Sequence, residues 1–150
     1  MTGASGCIGH YLVETLLNET PHDLFLLVRN PAKLLFNWQG EPRLQVIQDD
    51  IRNIDAHADL LGTMDTAIQA ATSWGGAPEI YDINVHGNHR LMELLDGDRC
   101  QQVLYFSTAS ILDCNNLPLR EAGDIGTDYI RSKYQCYMKL PELAIYPKIT

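Results

Sequence analysis

TGASGCIGHYL, residues Thr2–Leu12, stands at the head of this sequence with only a methionine before it. Gly3, Gly6 and Gly9 give the pattern GxxGxxG. Without Cβ atoms a backbone can turn tightly and let an anion come close, and the amides of a helix N-terminus meet negative charge. Ile8, Leu12 and Leu16, with Val13 and Leu17, recur at helical spacing and predict an amphipathic helix to about Glu19. The stretch therefore reads as a strand-to-helix turn suited to a pyrophosphate. The alternative is a glycine-rich helix start that holds no ligand.

Working outward, the pattern alternates between two periods. DLFLLVRN (Asp23–Asn30) is a short, nearly unbroken apolar run, as in a strand buried on both faces. PAKLLFNW opens with a proline suited to a first helical turn and breaks at Gly40-Glu41-Pro42. RLQVIQDD (Arg43–Asp50) predicts a second strand, followed by a helix around Ile54 to Leu61, and DTAIQAATSWGG (Asp65–Gly76) a third strand. A long helix is expected over Pro78–Gly97, a strand over Gln101–Ser110, then a polar loop and a helix over about Asp128 to Lys139. The tail ELAIYPKIT reads as the start of a further strand. Strands alternating with helices imply an α/β fold, a doubly wound parallel sheet of Rossmann type forming one domain over residues 1–150, or part of one.

Composition narrows the partners. Nineteen acidic against eleven basic residues give a formal charge of −8, which argues against nucleic acid and anionic membranes. No apolar run approaches the ~18 residues of a membrane span, and the charged-then-apolar start of a signal peptide is not seen. Cys7, Cys100, Cys114 and Cys136 are scattered, without metal-ligand spacing, so no metal is expected and reduced thiols in the cytoplasm are the simplest reading.

Several residues bear chemistry. Arg29, at the end of the strand that follows the glycine turn, suits a 2′-phosphate and so favours NADP over NAD; it could equally be a solvated strand-end arginine. Asp50 and Ile51 either hold an adenine or cap a helix. Tyr129 and Lys133 stand four apart on one helix face. A phenol is a poor base at neutral pH unless a cation favours the phenolate, and Lys133 can supply that charge. FSTAS (Phe106–Ser110) brings hydroxyls to a strand's C-terminal end, where open α/β sheets hold ligands.

Taken in order, the glycine turn, AAT (Ala70–Thr72), NVHGN (Asn84–Asn88), FSTAS and Tyr-x-x-x-Lys resemble an extended short-chain dehydrogenase/reductase of the NAD-dependent epimerase/dehydratase family. The resemblance runs through essentially the whole chain. It implies a pyrophosphate loop of Gly3, Gly6 and Gly9 lined by Ser5, Cys7 and Ile8, with Ala70, Ala71 and Thr72 beside the ribose and nicotinamide. It further implies Thr108 as the catalytic hydroxyl (Ser107 is the near alternative), Tyr129 as acid/base, and Lys133 as holder of the nicotinamide ribose. Asn84 takes a structural part. VRNP is similar to NADPH-using reductases of the family more than to its NAD-using sugar epimerases. The implied reaction is hydride transfer between a carbinol carbon and nicotinamide C4, on a small-molecule substrate whose identity the residues do not spell.

Two departures shape the expectations. The family's first strand is reduced to Met1, which would leave two strand edges unpaired at the centre of the sheet. The family's second half, with most of the substrate pocket, has no counterpart, so an N-terminal portion of a longer enzyme or a late start site is expected. A homodimer through the helices around Asn84 and Tyr129 is implied, with Tyr134, Tyr137 and Met138 as apolar surface or core. A non-enzymatic dinucleotide-binding or scaffold protein is the second functional reading. Trp74 either stacks on a ring or anchors its loop.

Overall fold

The structure, a computed structural model, describes residues 1–150. Four short parallel strands carry it: β1 (Leu24–Leu27), β2 (Leu44–Ile47), β3 (Thr66–Gln69) and β4 (Gln102–Tyr105). β1 pairs with β2, Leu24 opposite Leu44, and β3 pairs with β4, Thr66 opposite Gln102. Each strand follows a helical or turn segment, and such crossovers are what parallel pairing requires.

Residues before the glycine turn join the two pairs. Thr2 bridges Leu27 on one side and Gln69 on the other, both in parallel. The Thr2 amide donates to Ile68 O at 2.9 Å, and the Leu27 amide donates to Met1 O at 3.0 Å. The sheet order is therefore β2-β1-(Met1-Thr2)-β3-β4. The expected pair of bare central edges is corrected: two extended residues suffice to link the C-terminal halves of β1 and β3. Below them lies a small apolar cavity of about 40 Å³, lined by Met1, Phe25, Met64 and Ile68 among others.

Helices cover the sheet. α1 (Cys7–Glu19) buries Gly9 and Val13 against the β1-β2 side, in a cluster with Leu24, Leu26 and Leu44. A 3-10 turn (Ile51–His57) leads into α2 (Ala58–Leu61). The long helix starts as α3 (Glu79–Tyr81), passes through a π turn (Asp82–Gly87) and continues as α4 (Asn88–Glu93). α5 (Arg120–Asp124) and α6 (Asp128–Lys139) complete the set. The larger core packs Ile83, Val85, Leu91 and Met92 with Val103, Tyr105 and Cys136.

Three local expectations change. Pro31 opens only a 3-10 turn, Pro31–Lys33, in place of a helix through Trp38. Leu35 gives its amide to His10 Nε2 at 3.0 Å and Phe36 meets the His10 ring edge-on, so contacts with α1 hold this stretch out of helical form. The polar loop is ordered: Asp113 Oδ1 accepts from the amides of Asn115 and Leu117, and α5 follows. The tail forms 3-10 turns at Pro141 and Pro147, and pairs with β4 only at its last two residues, where Thr150 N donates to Val103 O at 2.8 Å. No helix is long and apolar enough to cross a membrane.

Candidate functional site

A cleft of about 850 Å³ opens where the strands end. One bank is the glycine turn, with Gly3, Ser5, Gly6, Cys7, Ile8 and Gly9 all lining it. Gly3 takes φ +77, and a Cβ there would stand 2.4 Å from the Ala70 carbonyl carbon, so only glycine lets the turn lie against the end of β3. Gly6 precedes α1 with no side-chain cap, so no side chain takes the first-turn amides, and Cys7, Ile8 and Gly9 of that turn line the cleft. An exposed turn of backbone amides of this kind can take an anion, and the residues fit the pyrophosphate of a dinucleotide.

The strand ends form the rest of the rim. Arg29, Asp50, Ile51, Ala70, Ala71 and Thr72 line the cleft, as do Tyr129 and Lys133. Thus every cofactor residue expected from the sequence reaches one cavity, although the chain separates them by up to 130 positions, from Gly3 to Lys133. Individual duties differ from expectation. Asp50 caps the 3-10 turn, accepting from Arg52 N at 3.0 Å and from Arg52 Nε at 2.9 Å, which is the capping alternative. Ile51 is only 5% exposed and packs mainly into the larger core. Arg29 is not simply solvated: its Nη1 lies 3.5 Å from Glu79 Oε1 and 3.9 Å from Asp50 Oδ2.

The tyrosine end has its own geometry. Tyr129 projects from the first turn of α6, which Thr127 caps by accepting from the Ile130 amide. The Trp74 indole stacks on the Tyr129 ring, centroids 3.7 Å apart and planes 14° from parallel. Trp74 is 73% exposed, so it stacks and does not anchor its loop in a core. Burial pushes the Tyr129 phenol above its ordinary pKa, while the hydroxyls of Thr108 and Thr72 draw it back. Thr108 also caps the turn that follows β4, and Ser107 lines the cleft where Thr108 does not.

Lys133 is 2% exposed and gives its ammonium to Phe106 O at 2.9 Å, 5.2 Å above the Tyr105 ring. In the ligand-free chain burial holds the Tyr129 phenol above its ordinary value, where the sequence reading expected a lowering beside Lys133. Burial lowers the Lys133 pKa from 10.5 to about 8. An unfolded lysine keeps its proton to near pH 10.5, so between these values the unfolded chain binds more protons and stability rises with pH. The full cost of burying the charge is therefore present below pH 8. Lys133→Met is expected to stabilise the chain by about 1–2 kcal/mol at pH 7 once the orphaned Phe106 carbonyl is allowed for. The gain should shrink steadily toward pH 10.5 in urea titrations across pH.

Asn84 braces both ends of the cleft. Wholly buried, it accepts from Ser73 N at 2.7 Å and Thr72 Oγ1 at 3.1 Å, and donates to Ser73 O at 3.1 Å and Ser132 Oγ at 3.0 Å. Asn84→Ala strands these buried partners and is expected to cost about 2–3 kcal/mol in chemical denaturation. The sequence reading missed Lys33, Asn30 and Phe106 as lining residues. VRNPAK carries a signal for Lys33, a second cation close behind Arg29, whereas Phe106 faces the cleft only through its place after β4.

Comparisons with known proteins bear on the fold and the family. The chain matches a dTDP-glucose 4,6-dehydratase, DesIV of Streptomyces venezuelae, crystallised with NAD, at 22% identity and TM-score 0.76, over 94% of this chain and 49% of that one. It matches WbmG of Bordetella bronchiseptica in complex with NAD at 18% identity and TM-score 0.74, over 96% and 49%. A UDP-glucuronic acid 4-epimerase from Bacillus cereus in complex with NAD is similar at 22% identity and TM-score 0.71, over 91% and 49%. The chain thus spans about half the length of these proteins, and at such identities the likeness establishes the fold. Among curated proteins none matches. The model of the NAD dependent epimerase/dehydratase family matches residues 1–138. With that match over nearly its whole length, the chain belongs to the NAD dependent epimerase/dehydratase family.

Proposed function

We propose that the cleft binds a nicotinamide adenine dinucleotide and that the protein uses it to oxidise or reduce a carbinol carbon of a small molecule. The observation that carries this reading is the shared cleft: the glycine turn and the Tyr129–Lys133 pair line the same cavity. When bound, the nicotinamide supplies the hydride acceptor or donor. The amides at the start of α1 hold the pyrophosphate, and two further donors of the Lys133 ammonium remain for ribose hydroxyls beside its bond to Phe106 O. Thr108, or Ser107 as the near alternative that lines the cleft, orients the substrate oxygen, and Tyr129 exchanges its proton. The raised phenol of the ligand-free chain makes Tyr129 a proton donor before it is a base.

Sugar nucleotides are the first substrates to offer, since DesIV acts on dTDP-glucose by name. Arg29 gives the site an interaction with a 2′-phosphate, so NADP is proposed beside NAD. The reading also carries a cytoplasmic location and a homodimer through the outer faces of α4 and α6, where Arg90 and Met138 are exposed while Asn84 is not. Titration with NADPH and then NADH, followed by nicotinamide fluorescence, tests the core of it. Saturable binding, with NADPH weakened by Arg29→Ala, is the expected result. No binding of either cofactor overturns the reading.

A further inference from the structure

Arg29 stands about twenty residues beyond the glycine turn, where the adenosine ribose of a dinucleotide meets the protein. Two carboxylates approach it, and they are not equivalent. Asp50 is committed to Arg52, which donates to its two oxygens from Nε at 2.9 Å and Nη2 at 2.8 Å, and it lies 3.9 Å from Arg29. Glu79, fifty positions along the chain at the start of α3, is nearer, with Oε1 at 3.5 Å. It makes no second ion pair. Both side chains of this pair are open to solvent, 58% for Arg29 and 44% for Glu79, so the contact can be exchanged.

We propose that Glu79 sets the discrimination between the two dinucleotides, by competing with a 2′-phosphate for Arg29. The proposal rests on the dinucleotide reading of the cleft. A ribose 2′-hydroxyl does not require Arg29 to leave its partner. A 2′-phosphate must take the guanidinium from Glu79, and the released carboxylate then stands close to a doubly charged anion. Glu79 therefore weakens NADPH and leaves NADH nearly untouched. As the nearer carboxylate beside Arg29, it decides how much of the Arg29 charge a phosphate can use.

Fluorescence titration of wild type, Glu79→Gln, Arg29→Ala and the double variant with both cofactors tests this. Glu79→Gln is expected to tighten NADPH about three- to tenfold and to hold NADH within about twofold, and Arg29→Ala is expected to erase that gain. Matching thermal melts establish that these exposed changes leave the fold alone. An unchanged NADPH-to-NADH ratio in Glu79→Gln overturns the proposal, and so does a gain that survives loss of Arg29. Failure of every variant, wild type included, to bind either cofactor overturns the dinucleotide reading and this proposal with it, a result distinct from the first two.

Discussion

Gly9→Ala is expected to destabilise the chain by about 3 kcal/mol and to abolish NADH binding at concentrations that saturate the wild type. A Cβ at this buried position would stand 2.0 Å from Gly3 O and 2.7 Å from the Ala4 Cα. Both are backbone atoms, so no rotamer change relieves the clash. Either α1 moves off the end of the sheet or the turn at Gly3 opens, and in both cases the first-turn amides move away from the cleft. Chemical denaturation gives the stability and fluorescence titration the binding. Gly97→Ala is the control: its Cβ would meet nothing within 4 Å, and it should leave both properties close to wild type. Equal behaviour of the two variants would show that the turn does not need its close contact with α1.

Tyr129→Phe is expected to lower turnover by about 10²–10⁴-fold while cofactor affinity stays within about twofold. The substitution keeps the ring on which Trp74 stacks at 3.7 Å, so the wall of the cleft is preserved and only the proton-bearing oxygen is lost. Turnover is read from nicotinamide absorbance at saturating cofactor, and affinity from fluorescence. A variant that binds normally and turns over at the wild-type rate removes Tyr129 from the chemistry. It would turn attention to the second reading, a dinucleotide-binding module without a reaction of its own. A variant that loses binding and turnover together would assign the tyrosine to the shape of the site.

Much of the architecture was legible because each element states its period within a few neighbouring residues. The repeat from Ile8 to Leu17 marks α1, the apolar run at Leu24–Leu27 marks β1, and Asp128 to Lys139 carries the body of α6. Failures came where distant contacts outweigh local preference. PAKLLFNW begins like a helix, yet His10 and the α1 surface take its Leu35 amide and Phe36 ring. The tail has apolar residues fit for a strand, yet two prolines turn it until only Ile149 and Thr150 reach β4.

The same division holds at the site. By itself the sequence determined the order of strands and helices, the glycine turn, and the face that Tyr129 and Lys133 share, because these depend on spacing along the chain. The tertiary structure alone decided which groups meet across it. It gave Asp50 to Arg52, Arg29 to Glu79, the Trp74 ring to Tyr129 and the Lys133 ammonium to Phe106 O. The physical reason is range: backbone periodicity is written in residues three or four apart, whereas a charge or ring is partnered by whatever the packed sheet brings within a few ångströms.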